Sequence, residues 1–172
     1  MKKIITVLIM VVALVALAGC GMKDNYAGSW ITYTIDSNNH IDDKATILKI
    51  SKNGDNYIIK KSIAHYDRIV KGGLFKKMTC TAAWVVEDLT KNVESATLKD
   101  DRLLTVPAMG IGYTYVEKDR VLLDSKNRTV YEKYTKGRFD EYKAEITKHM
   151  HARYDDLTFV TEAKLKELRA SK

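Results

Sequence analysis

The chain has 172 residues, a formal net charge of +7, 45% apolar residues, one proline and two cysteines. That length and apolar content allow one domain with a real core. Two cysteines exclude a disulfide framework, and the basic balance directs attention to anionic lipid, an acidic polymer or an acidic ligand as the class of partner.

Lys2 and Lys3 open the chain, and from Ile4 to Ala18 every residue except Thr6 is apolar. The run of 15 residues falls short of the about 20 that a membrane-spanning helix needs. It suits the h-region of a secretory signal peptide. Small residues Ala18 and Gly19 then precede Cys20.

Leu17-Ala18-Gly19-Cys20 resembles the lipobox of bacterial lipoproteins. The resemblance implies cleavage before Cys20, diacylglyceryl transfer to its thiol and, in many bacteria, acylation of the new amine. Two or more acyl chains make a stable anchor, at about 0.8 kcal/mol per buried CH₂. The mature chain would then be extracytoplasmic and held to the cell membrane by the lipid on Cys20, with no need of a transmembrane helix. Gly21, in place of the aspartate that retains lipoproteins at an inner membrane, points to the outer membrane where there is one. That location argues against nucleic acid as a partner. Loss of Lys2 and Lys3 leaves a net charge of +5 from Cys20 onward. With Cys20 lipidated, Cys80 stands alone in a strand-like stretch and is expected to be a buried, inert thiol.

From Gly28 to Tyr134 the pattern predicts strands. Trp30 to Ile35 is β-branched and aromatic. Ala45 to Ser51 alternates, with Leu48 and Ile50 on one face and Ile47 and Lys49 on the other. Asn53-Gly54 is a strong hairpin signal, and its partner strand runs from Tyr57 to Tyr66. Met78 to Glu87 is a further strand. Ala96 to Val106 reads as two short strands around Asp100-Asp101-Arg102. Ile111 to Val116, Arg120 to Asp124 and Arg128 to Tyr134 complete the series, separated by the polar turns Glu117-Lys118-Asp119 and Ser125-Lys126-Asn127. The fold class is therefore mainly β, an antiparallel meander of about eight strands closed into a barrel or folded into a sandwich.

From Arg138 the period switches to helix. Phe139, Tyr142, Ile146, Met150 and Tyr154 lie three or four residues apart along one face. Asp140 and Glu141 early, and Lys148 and Arg153 late, suit the helix dipole. Asp155-Asp156 interrupts, and a second helix is predicted from Glu162 to Ala170 with Thr161 as its N-cap. The chain thus divides into a signal peptide (1–19), a lipidated tether (20–27), an antiparallel β-domain (28–135) and C-terminal helices packed on it (136–172).

Gly28-Ser29-Trp30 opens the first strand. With a meander of about eight strands and a helix after the last, it resembles the lipocalin pattern. The resemblance implies Trp30 under the barrel floor, packed by an arginine from near the last strand, Arg128 or Arg138. The residues alone also allow a core aromatic in another small β-fold. A second feature runs from Arg68 to Lys77, with four cations and no acid. Read as a loop, it offers Arg68, Lys71, Lys76, Lys77 and Phe75 to anionic headgroups, at roughly 1 kcal/mol per cation, or to a ligand at a cavity mouth. The bland alternative is a solvated hairpin loop with Leu74 and Phe75 turned into the core.

His149 and His151 are two apart, on different faces of a helix. Neither they nor His40 and His65 sit in a zinc-like cluster, so no metal or cofactor is expected. Asp36 to Asp43 lacks the glycine and glutamate of a calcium loop. No G-x-S-x-G and no Cys–His pairing marks a nucleophile, so no enzyme is expected. Tyr33, Tyr57, Tyr66, Tyr113, Tyr115, Tyr131 and Tyr134 fall on predicted strands, to line a cavity or to form outer rows. The expected function is a non-enzymatic binding module for a small amphiphile or an envelope component. The alternative is an envelope structural or assembly factor working through protein contacts of its C-terminal helices. A tyrosine-lined enclosed pocket would favour the first, and a filled barrel with an open helix stripe the second.

Overall fold

The computed structural model describes residues 24–35, 43–73, 76–89, 93–99 and 102–171. Alternating apolar residues build β1 (Gly28–Thr34), β2 (Lys44–Asn53) and β3 (Asn56–Gly73), which pair antiparallel in chain order. The Asn53-Gly54 signal makes the β2–β3 turn, where Gly54 takes a φ of +61° that costs glycine no Cβ clash. The second edge of β3 serves two partners. β4 (Lys76–Asp88) pairs with Ser62–Gly73, and β5 (Glu94–Lys99) pairs with Asn56–Ile59. The meander continues through β6 (Leu103–Val106), β7 (Ile111–Val116), β8 (Val121–Asp124) and β9 (Val130–Lys133), and β9 returns to β1. Strands β1, β2, β3, β5, β6, β7, β8 and β9 thereby close an antiparallel, lipocalin-like barrel.

Trp30, Leu48, Ile59, Leu104, Leu122 and Tyr131 point inward and join one buried cluster with Tyr26. Beyond the barrel, β3 and β4 run on as a two-stranded flare. Odd residues of β3 continue the inner face, since Tyr57 and Ile59 lie in the barrel core, and even residues continue the outer face. α1 (Lys136–Arg153), capped by the Thr135 side chain, lies on the outer face. Its Tyr142 and Ile146 pack on Ile31, Ala45 and Ala64, and Met150 packs with Tyr154 on Cys80 and Ala82. β10 (Asp156–Phe159) then adds a parallel edge strand to β4, and α2 (Glu162–Ala170) returns to the inner face. There Arg169 forks onto Asp67 at 2.6 and 2.5 Å, and Leu165 is fully buried.

Three segments differ from expectation. Arg68 to Lys77 is not a loop, because β3 reaches Gly73 and β4 starts at Lys76. Gly72 is needed there, at φ +94°, because a Cβ would collide with the Lys77 carbonyl. Asp155-Asp156 leads into a strand, so the tail is not purely helical. Asp24 to Ala27 belongs to the fold, with Tyr26 buried and the Asp24 carboxylate accepting the main-chain N–H of Tyr26 and Ala27, each at 3.0 Å. Phe75, Leu74, His40 and residues 36–42 lie outside the described residues.

Candidate functional site

The barrel has two unlike ends. At the end where the chain enters, Trp30 is 1% exposed and donates its indole N–H to the Tyr26 carbonyl at 2.8 Å. The Tyr26 hydroxyl donates to the Arg102 carbonyl and accepts the Tyr115 N–H at 3.4 Å. Tyr26 thus plugs the floor, edge-on to Tyr57 and Tyr115. Burial, with Asp24 beside it, pushes the Tyr57 hydroxyl up to about 12, so it stays protonated. The cation on Trp30 is Lys133, whose ammonium stands 3.8 Å from the ring centroid and donates to the Ala27 carbonyl at 3.0 Å. Neither expected arginine does this. Lys133 lies directly across from Trp30 in register and shares the inward parity of Tyr131. Arg128 is exposed on the β8–β9 turn, and Arg138 is engaged by Glu132 and Glu141, each at 2.8 Å.

Outside this floor lies a half-open cleft of about 300 Å³, lined by Asp24, Asn25, Trp30, Tyr115, Arg120 and Lys133. The opposite mouth holds only about 70 Å³, among Ile59, Lys61, Glu94, Tyr113, Asp124 and Tyr131. Asp124 there anchors its turn, accepting the main-chain N–H groups of Lys126 and Asn127 at 2.8 and 3.1 Å. Burial raises the Glu94 carboxyl against the pull of Lys61, and burial with Asp124 lifts Tyr131 to about 12. Among the described residues the inward Tyr57, Tyr113 and Tyr131 are packed in the barrel core. Tyr33, Tyr66 and Tyr134 turn outward, under α1.

Comparison with family models, curated proteins and solved structures finds no match.

The basic segment is split by the flare. Arg68 is half-buried, with its guanidinium 3.8 Å from the Met150 sulfur, while Lys71 and Lys77 are exposed near the hairpin end and Lys76 opens β4. Lys71 lies 14 residues along β3 from Tyr57, a path of about 45 Å at 3.3 Å per residue. The hairpin is thus carried to the far end of the molecule from the tether. His65 sits 3.2 Å from Glu87 on the inner face of the flare, and the His151 ring packs edge-on to Phe159. Among the described residues no three His, Cys, Asp or Glu side chains converge as metal ligands, and no helix is long and apolar enough to cross a membrane. Cys80 is buried, and that burial raises its thiol pKa. A hollow of about 580 Å³ lies open along Asp140, Lys143, Thr147 and His151, so its described wall is one face of α1.

Sequence reasoning missed Tyr26 and Lys133. Tyr26 stands four residues before Trp30 in what reads as a linker, and Lys133 is one lysine among many. The available signal was parity, since a residue two after an inward Tyr131 must also face inward.

Proposed function

We propose that this chain is a lipid-anchored bacterial envelope lipoprotein, extracytoplasmic and held by Cys20, whose solid barrel is a non-enzymatic binding module for an envelope component. The filled barrel carries this reading. Ligand pockets for small molecules run from about 300 to 1,000 Å³, and the mouth cavity of about 70 Å³ is far below that. A small amphiphile housed inside the barrel is therefore disfavoured, and binding belongs on outer surfaces and at the tether-end cleft. The alternative, assembly through an open helix stripe, loses its main support because Tyr142, Ile146 and Met150 are spent on the β-sheet. The test is cell fractionation of Cys20→Ser beside wild type. The wild type should partition into detergent, and the variant should leave the membrane fraction. A variant that stays in the detergent phase would sink the anchor assignment.

A further inference from the structure

We infer that the cleft at the tether end binds the phosphodiester headgroup of an anionic phospholipid, so that the barrel docks on the bilayer carrying its anchor. This rests on the reading of Cys20 as the lipidated residue. The cleft of about 300 Å³ combines an aromatic floor, Trp30 and Tyr115, with two cations, Arg120 and Lys133. Arg120 occupies the β7–β8 turn at φ +55°, a region that costs a residue with a Cβ, and among the described residues it has no ion pair. A guanidinium there can fork onto two phosphate oxygens. The Lys133 ammonium stands on the Trp30 ring and the Ala27 carbonyl, which fixes its charge in place beside the cleft. Asp24 also lines the cleft; its Oδ1 accepts the Tyr26 and Ala27 N–H groups, and its negative charge offsets part of the pull of the two cations.

Position favours a lipid over other phosphate sources. Asp24 is four positions after Cys20, which spans at most about 14 Å of extended chain. An anchored Cys20 therefore keeps this cleft at the headgroup layer, whereas Lys71 and Lys77 are carried away from it. The β7–β8 turn that carries Arg120 is itself mixed, with Lys118 between Glu117 and Asp119. Attraction must come from the two cleft cations rather than from a diffuse basic surface.

The test uses the mature lipoprotein in vesicles of phosphatidylcholine alone, or of phosphatidylcholine with phosphatidylglycerol. Both vesicles carry a headgroup-nitroxide lipid. Trp84→Phe leaves Trp30 as the single tryptophan, since the chain has two. Trp30 emission should be quenched more strongly in the phosphatidylglycerol vesicles. Arg120→Gly removes one cation and relaxes the turn, so it should cut most of the extra quenching in the phosphatidylglycerol vesicles, with co-flotation and circular dichroism unchanged. A cation near an anionic surface shifts docked occupancy roughly fivefold, and high salt should shrink the difference. Equal quenching in both vesicles, with co-flotation intact, would overturn the headgroup site and leave the anchor standing. Wild-type protein that fails to co-float would overturn the anchor and the site together. Thermal stabilisation by free glycerol phosphate, with no difference between the vesicles, would assign the cleft to a soluble phosphoester and overturn the lipid.

Discussion

Trp30 shows how a single side chain organises the barrel floor. Its ring is covered by Lys133, edged by Tyr115 at 6.1 Å and tied through its N–H to the Tyr26 carbonyl. Emptying such a site removes the transfer energy of a large aromatic and leaves a cavity, and Trp30→Ala should cost about 3–5 kcal/mol. That is a large share of the total for a domain of this size. A denaturant midpoint near wild type would show that the floor closes around the loss. The importance of Trp30 was legible from Gly28-Ser29-Trp30 at the start of a strand. Its cation was not, because choosing among Arg128, Lys133 and Arg138 requires the β1–β9 register, a pairing across more than a hundred residues.

At the scale of elements, α1 and α2 clasp the flare from opposite faces. The stripe of α1 was readable from 3.6-residue periodicity, and Ile146 is 1% exposed against Ile31, Ala45 and Ala64. Ile146→Asp would bury a charge with no partner, at about 3 kcal/mol or more. For a domain of this length that lowers Tm by about 10 °C, and an unchanged melting curve would show that the helix is not part of the cooperative unit. α2 depends on Leu165 and on the fork from Arg169 to Asp67. That fork holds the Asp67 carboxyl below the usual carboxylate range, although burial opposes it. A group depressed in the fold stabilises above its unfolded pKa of about 3.9. It loses that contribution as pH falls through the lower folded value. α2 should therefore stay docked at neutral pH and loosen only below about pH 4. Asp67→Asn should abolish this acid step and lower hydrogen-exchange protection of the α2 amides at neutral pH. Protection equal to wild type would mean that Leu165 alone holds the helix. β10 escaped sequence reading because four residues with two acids nearby carry no period; β4 templates them through parallel pairing at Thr79–Ala82.

For the whole molecule, a filled barrel predicts that native mass spectrometry of protein from its own host finds no retained small molecule other than phospholipid. A retained amphiphile of any other class would require the barrel to open around it and would restore the enclosed-ligand reading. Local chemistry by itself determined the strand series, the Asn53-Gly54 hairpin, the helix stripe and the second helix with its Thr161 cap. Each of these is written in neighbours a few residues apart, where backbone preference and hydrophobic period act. Tertiary structure alone decided the rest. It decided that β3 outruns the barrel, that Tyr26 plugs the floor, that Lys133 covers Trp30, and that the inward tyrosines occupy the interior. These outcomes depend on closing loops between distant strands, and on a barrel circumference whose inward side chains either fill it or do not; no stretch of sequence holds that sum.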